Sequence, residues 1–539
     1  MRFKKYIVYS SCLSLLAATL GACNFLDDKP LDAKDSSLAW QTATDAETNV
    51  NALYFGGVPY LNNTDVDGGW TPKATMWGGI MSGLFVDKKK DRTFTNASEN
   101  CNFNVASFDD TSFKLYHELY KGISRANFVL ANIPTMTNVL TQKQIDNYMA
   151  QGYFFRAYGY FWLVKEFGAV PYIDFPYTEP VNMQVEQTSA EDIYKHVETD
   201  LENIVEGDAL PDKTFYENEG YATKAMAETL LAEVYLQHAG APLNGGQVYY
   251  EKAANMALQV INSGTFALMS DFNSLKVDES TNNREIIYAK EFNNSLGVGN
   301  DYPCRSIYTD ASQWKKRDGK TSVFNPGGGV LYDAYCPAPM ILNSYDPNDL
   351  RIQDYQFFFW NYIDSATDSL YVIDHYTPGN WAWFDEAALK KGTNGSYNIP
   401  TFRYSEILLI AAEGLARTGH EDNAVGGAKY YLNQVRKRAY LPDETATGDE
   451  LIQSILTERL HEFPLEFKVW DDIRRTRLYP EASTETGKLN WVPLKTATIQ
   501  NKPEGQTKVG AIPEYALLWP FSLDQLQVNP KLTQNPGWN

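Results

Sequence analysis

Seven large aromatic rings stand in stretches that otherwise read as loop: Trp70, Trp77, Tyr308, Trp314, Trp360, Trp381 and Trp383. An indole offers a flat apolar face on which the C–H face of a sugar packs, while polar neighbours orient the hydroxyls. Asn, Asp and Arg residues surround these rings, Arg305 among them, and that mixture suits a glycan site. Two basic runs lie close by. Lys88-Lys89-Lys90-Asp91-Arg92 follows Trp77, and Lys315-Lys316-Arg317 follows Trp314. In a chain of net charge -20 such runs would serve an anionic ligand, or they are simply solvated loop tips.

Other constellations point to structure rather than chemistry. Glu458, Glu462 and Glu466 recur at i, i+4 and i+8, with Arg459, Arg474 and Arg475 near in sequence. A row of carboxylates can hold a metal or work as an acid/base pair, but beside arginines it reads as an ion-pair network fixing the terminal helices. Asn63-x-Asp65-x-Asp67-Gly68 resembles the start of a calcium loop, yet its twelfth position is Ala74 where a bidentate Glu belongs, so it reads as a turn. The cysteines are Cys12, Cys23, Cys101, Cys304 and Cys336, with no CxxC and no even framework, which signals neither zinc nor a disulfide scaffold. HExxH, GxSxG and P-loop signatures are absent. No cofactor, metal or catalysis is expected, although a glycosidase needs only two carboxylates at no fixed spacing and stays as an alternative.

The elements that must position these residues are mostly helical. Ile193, Val197, Leu201 and Ile204 form one apolar stripe behind a capping box at Thr188-x-x-Glu191. Ala227, Leu230, Leu231, Val234 and Tyr235 form a second, stopping at Gly240 as a C′ residue. A third helix runs from about Glu251 to Asn262 with Ala253, Ala254, Ala257 and Ile261, ending at Gly264, and a fourth from Tyr404 to Thr418 with Ala411, Ala412 and Ala416. Thr447-x-x-Glu450 opens a further one. Paired helices with small residues at their crossings predict stacked hairpins of tetratricopeptide type, without a strict 34-residue period. Between about 271 and 400, and again over roughly 56–106, Gly, Pro, Asn, Asp and aromatics displace the helical pattern, predicting loops with short strands.

The amino terminus reads as a secretory signal. Arg2, Lys4 and Lys5 precede an apolar stretch from about Tyr6 to Leu20, too short to span a membrane. Its end, Leu20-Gly21-Ala22-Cys23, resembles the bacterial lipobox, in which Cys23 would become the lipidated first residue. No later stretch has 18 uninterrupted apolar residues, and the remainder is expected to be soluble. The negative charge disfavours nucleic acid as a partner.

Several segments together resemble the SusD/RagB family of Bacteroidetes surface lipoproteins. Cys23-Asn24-Phe25-Leu26-Asp27 is similar to its mature start, and Phe155-Arg156-Ala157-Tyr158 through Phe167-Gly168-Ala169-Val170-Pro171 to its most recognisable motif. Phe402-Arg403-Tyr404-Ser405-Glu406-Ile407-Leu408-Leu409, Glu458-Arg459-Leu460-His461-Glu462-Phe463 with Trp470-Asp471-Asp472-Ile473-Arg474-Arg475, and the close Asn529-Pro530-Lys531-Leu532-Thr533-Gln534-Asn535-Pro536-Gly537 extend the likeness along the chain. Where the family often has Glu-Gly-x-Arg, this chain has Glu466-Phe467-Lys468, after Pro464. The resemblance implies residues 1–22 as signal peptide and 23–539 as one domain. In it, a tetratricopeptide-like helical scaffold (about 40–265 and 400–480) would carry loop-rich ligand-binding segments (about 56–106 and 271–400), with a C-terminal family motif at 511–539. It further implies a lipid-anchored protein exposed on the outer membrane. Such a protein would bind an oligosaccharide, or a peptide as in the RagB branch, and pass it to a SusC-like TonB-dependent transporter. Family sites draw on an early loop and on loops past the middle of the chain, where Trp77 and Trp314 lie.

Overall fold

The computed structural model describes residues 39–55, 82–86, 105–177, 184–276, 283–296, 299–300, 314–315, 336–364, 369–372, 375–376, 378–385, 388, 395–466, 468–483, 485–498 and 512–538. Twelve α-helices occur among them. They are α1 (Ala43–Asn51), α2 (Val105–Asn132), α3 (Gln142–Phe167), α4 (Ala190–Val205), α5 (Lys224–Ala239), α6 (Gly246–Asn262), α7 (Pro339–Ser344), α8 (Tyr404–Arg417), α9 (Ala428–Arg438), α10 (Gly448–Glu462), α11 (Val469–Thr476) and α12 (Leu523–Val528).

From α2 to α6 each helix packs on the one before it. After α6 the chain leaves for the loop-rich region, then returns as α8, which packs directly on α6 and carries α9 and α10 on its other sides. The helical array is therefore continuous in space across an interruption in sequence. Small residues make the α6–α8 approach close: Ala253, Ala254 and Ala257 face a helix that contributes Ala411 and Ala412, all buried. This is the hairpin scaffold the periodicity predicts.

α3 shows why the Phe155–Pro171 motif is scaffold. Every residue from Phe154 to Phe167 is buried, so this half of the helix is enclosed around its whole circumference. Gly168, at φ 70°, ends it, and Val170–Pro171 then pairs with Gln187–Thr188. The buried charges of α3 are paired. Arg156 binds Asp200 of α4 through two hydrogen bonds of 2.8 and 2.7 Å, and Arg474 of α11 binds Glu166 through two of 2.9 Å.

Three local expectations need correction. The cap of α4 is Ser189, which accepts from the Asp192 amide, not Thr188, because Thr188 is held in the strand opposite Val170. Thr447 occupies the N-cap position of α10 but its side chain caps nothing; Gly448 turns to φ 58° and its amide donates to Glu421 instead. Gly240 does follow α5, yet it is extended at φ -94°. Its missing Cβ makes room for Arg475, whose carbonyl oxygen would lie 2.3 Å from it.

The strands are short. Ile286–Lys290 pairs with Ile399–Arg403 and brings the chain back into α8, while Leu478–Ala482 pairs with Leu489–Pro493 near the carboxyl end. No helix among the described residues is long and apolar enough to cross a membrane.

Candidate functional site

Short ladders gather three of the tryptophan-bearing segments. Asn361–Asp364 pairs with Ser369–Val372 on one side and with Trp314–Lys315 on the other, where Trp314 stands opposite Asp364. Along such a strand, Trp360 precedes that position by four residues, roughly 13 Å at strand rise. Immediately upstream, Phe358–Phe359 pairs with Gly379–Asn380, which leads into Trp381. Gly379 is required there: a Cβ would lie 2.2 Å from the Phe359 ring. Residues up to fifty positions apart in sequence are thus joined by main-chain hydrogen bonds, in two separate ladders.

The three indoles with described side chains differ in what they can offer. Trp360 is half-buried; its Nε1 donates to the His375 carbonyl at 2.9 Å and its ring stacks on the exposed His375, which meets the exposed Tyr376 edge-on. This makes an aromatic ridge. Trp381 is only 5% exposed. Its ring stacks on Phe384 at 4.4 Å, Lys276 Nζ lies 3.8 Å from its centroid, and its Nε1 donates to Asn273 at 2.5 Å. As a ligand-contacting ring Trp381 is therefore corrected to a support beneath the face, because packing has already taken its surface. Trp383 is half-buried and lines a cleft of about 60 Å³ with Phe272, Phe357, Lys276, Asn300 and Asn398. That is room for about two water molecules, enough for a hydroxyl group and not for a whole ring.

Arg403, Glu462 and Glu466 close the bottom of this cleft, and here the carboxylate row finds its role. Glu462 is fully buried and meets three guanidinium groups, Arg351 at 3.4 Å, Arg403 at 2.9 Å, and Arg438. Glu458 binds Arg351 at 2.7 Å and Arg436 at 3.3 Å; Glu466, past the end of α10, binds Arg403 at 2.6 Å. Glu285 joins from the strand Ile286–Lys290 side, 2.8 Å from both Arg403 and Arg438. Burial pushes the Glu462 carboxyl up, but Arg438, Arg403 and Arg351 outweigh it and hold the group down at about 2. The expected network is present, with different partners: the arginines nearest in sequence go elsewhere. Arg459 pairs with Asp472 at 2.9 Å, and Arg475 pairs with Glu413 at 2.6 Å and Asp472 at 2.7 Å. Beside the network His461 is stacked on Tyr345 at 4.0 Å, with Nε2 2.7 Å from the Ser344 hydroxyl. Burial, then the Arg351 and Arg436 charges, push its pKa well below the ordinary value.

Trp70, Trp77, Arg305 and Tyr308 lie outside the described residues, as do Cys23, the half calcium loop and most of both basic runs; Trp314 and Lys315 are described in their backbone alone. No cluster of three or more His, Cys, Asp or Glu side chains suited to a metal occurs among the described residues. Sequence reasoning missed Lys276, Asn300 and Asn398, single polar residues without a motif, whose place beside Trp383 is fixed by pairings such as Asn300 with Gly395.

The arrangement is that of a tetratricopeptide-type helical scaffold carrying an aromatic face built from loops. The chain belongs to the SusD family, whose model matches residues 141–538. A second model, described as starch-binding associating with outer membrane, matches residues 25–236. Among individual proteins, SusD-like protein P2 of Formosa agariphila is 26% identical over 510 residues, covering 89% of this chain and 92% of the relative. A SusD superfamily protein from Parabacteroides distasonis superposes with a TM-score of 0.75 at 24% identity, covering 92% of this chain and 99% of that one. Surface glycan-binding protein A from Bacteroides thetaiotaomicron, solved in complex with laminarihexaose, superposes with a TM-score of 0.68 at 21% identity, covering 92% of this chain and all 100% of that one. These structural likenesses establish the fold.

Proposed function

We propose that this protein is a surface glycan receptor, anchored in the outer membrane through a lipid on Cys23, that captures oligosaccharides and passes them to a TonB-dependent transporter. The observation that carries the binding reading is the partly exposed pair Trp360 and Trp383, packed against one hydrophobic cluster, the latter beside Lys276, Asn300 and Asn398. A pyranose stacked on Trp383 would send one hydroxyl into the small cleft, where a rigid ion-pair floor sets its depth. Trp314 pairs with the strand that follows Trp360, and Trp70, Trp77, Tyr308 and Arg305 are assigned to the same ligand surface from their loops. The family model described as starch-binding, and the related protein that holds laminarihexaose, support the ligand class. Anchoring rests on the lipobox, and delivery on the family. The domain layout, one unit from Cys23 to the end behind a cleaved 1–22, is part of the same proposal.

The test is titration calorimetry of the chain from Asn24 onward against plant, host and microbial glycans, with reducing ends assayed in parallel. Binding to one glycan class is expected. Trp383→Ala and Trp360→Ala should each weaken it about tenfold, the equivalent of about 1.4 kcal/mol. New reducing ends would overturn the receptor reading in favour of a hydrolase, and binding of peptides without glycans would move the protein to the peptide-binding branch.

A further inference from the structure

A second cleft lies where α2, the segment Pro171–Tyr177 and α12 meet, about 420 Å³ in volume. That is within the range of about 300–1,000 Å³ usual for small-molecule sites. None of the tryptophans considered above lines it. Its walls are rings: Tyr116 and Tyr120 from α2, with centroids 4.7 Å apart, and Phe175 and Tyr177 from the following segment, 5.2 Å apart. Its rim leaves large apolar surface in water. Phe175 is 50% exposed and Val528 70% exposed. Exposed apolar surface gathered around a concavity marks an interaction site more often than scattered exposure does.

The polar groups give the ligand its chemistry. Three residues that line the cleft, Asn127, Tyr177 and Gln525, each carry a buried polar atom without a hydrogen-bond partner: Asn127 Oδ1, the Tyr177 hydroxyl and Gln525 Nε2. Each such atom is destabilising while unmet. The other ends of two of these side chains are firmly held. Asn127 Nδ2 donates to the Ile173 carbonyl at 2.8 Å, and Gln525 Oε1 accepts from the Ser522 amide at 2.7 Å in the cap of α12. Those bonds fix which end is free: an acceptor on Asn127 and a donor on Gln525. A ligand that meets both, with the Tyr177 hydroxyl able to play either part, must donate and accept in close succession among these rings. A lipid tail cannot do this. Neither can an anion, which accepts only. Adjacent ring hydroxyls of a saccharide can.

We propose that this cleft is a second saccharide-binding site, sized for one or two sugar rings, built by the C-terminal helix against α2 and distinct from the Trp360–Trp383 face. The ligand class is argued from the cleft itself; the first site does not enter. The side chains must part slightly on binding, because the three unmet atoms are covered in the free protein.

Saturation-transfer NMR of the chain from Asn24 onward with glucose, galactose, mannose, maltose and laminaribiose tests it. Transfer to at least one sugar is expected, kept in Trp360→Ala/Trp383→Ala and lost when Phe175→Ala/Tyr177→Ala is added to that background, which silences the first site; Phe175 is exposed and Tyr177 partly so. Gln525→Glu keeps the capping oxygen and replaces the donor with an acceptor, and should weaken the transfer at least fivefold with α12 intact. Transfer that survives all four substitutions together, or none to any of the five sugars, overturns the second site. Neither result touches the receptor reading, which stands or falls with oligosaccharide binding at Trp383.

Discussion

Glu462 is the residue on which the lower half of the molecule turns. Its carboxylate sits among Arg351, Arg403 and Arg438, fully buried, and those arginines come from a 3-10 turn, a strand and α9. Removing the charge leaves three buried guanidinium groups undercompensated. Glu462→Gln, which keeps the shape, is expected to lower unfolding free energy by about 3–5 kcal/mol in urea titration, the usual result of removing one partner from a buried pair. The same variant should leave helical content at low denaturant near that of the parent, since the network ties helices together and does not form them. His461, one position away, shows the opposite response to burial. It is held neutral, so the unfolded chain takes up a proton there at about pH 6.5 that the folded chain refuses.

At the scale of elements, Gly379 decides whether the aromatic face is assembled. An alanine there would put its Cβ inside the Phe359 ring, so Gly379→Ala must push Gly379–Asn380 away from Phe358–Phe359. Overpacking of this kind costs about 1–3 kcal/mol. The expected outcome is loss of glycan affinity with a melting temperature lowered by a few degrees, read by calorimetry on the same sample. Elements of the array were legible in the sequence because each has a one-sided or all-round apolar pattern that only burial explains: Ile193, Val197, Leu201 and Ile204 all lie inside. Capping was less legible. Thr188-x-x-Glu191 and Ser189-x-x-Asp192 satisfy the same pattern, and a strand pairing invisible to local reasoning chooses between them. The site was legible as a list of tryptophans but not as a geometry. Nothing in the neighbourhood of Trp381 distinguishes it from Trp383, yet one packs beneath Phe384 and the other keeps exposed surface. Likewise the carboxylate row announced a network while its arginines, up to 111 positions away, could not be chosen without the fold.

For the whole molecule, these buried charges set the response to acid. Glu413, Glu462 and Asp471 are held below their ordinary range, burial raising each and arginine or lysine partners more than reversing it. Their contribution is present above about pH 4.5 and is lost as pH falls toward 2. Asp200, Glu228 and Glu233 are pushed up by burial and oppose this trend. His461 acts earlier than the lowered carboxylates: its depressed pKa means stability falls once pH drops below about 6.5, by up to about 1.4 kcal/mol per pH unit. Urea midpoints between pH 7 and 5 should therefore decline in the parent protein and decline less steeply in His461→Gln; equal slopes would show that His461 takes up its proton without unfolding.

The direct packing of α6 on α8 has a consequence for how such a protein can change over generations. The chain between them, from Ser263 to Arg403, is a closed loop whose ends are pinned by the helices. The entropy of closing a loop grows only with the logarithm of its length, about 0.6 kcal/mol for each doubling. Insertions and deletions that remake the aromatic face therefore cost the helical rack little, provided they leave Glu285, Arg351 and Arg403 in the buried network. One rack can carry many faces, and a lineage that meets a new polysaccharide can rewrite its receptor without relearning how to fold.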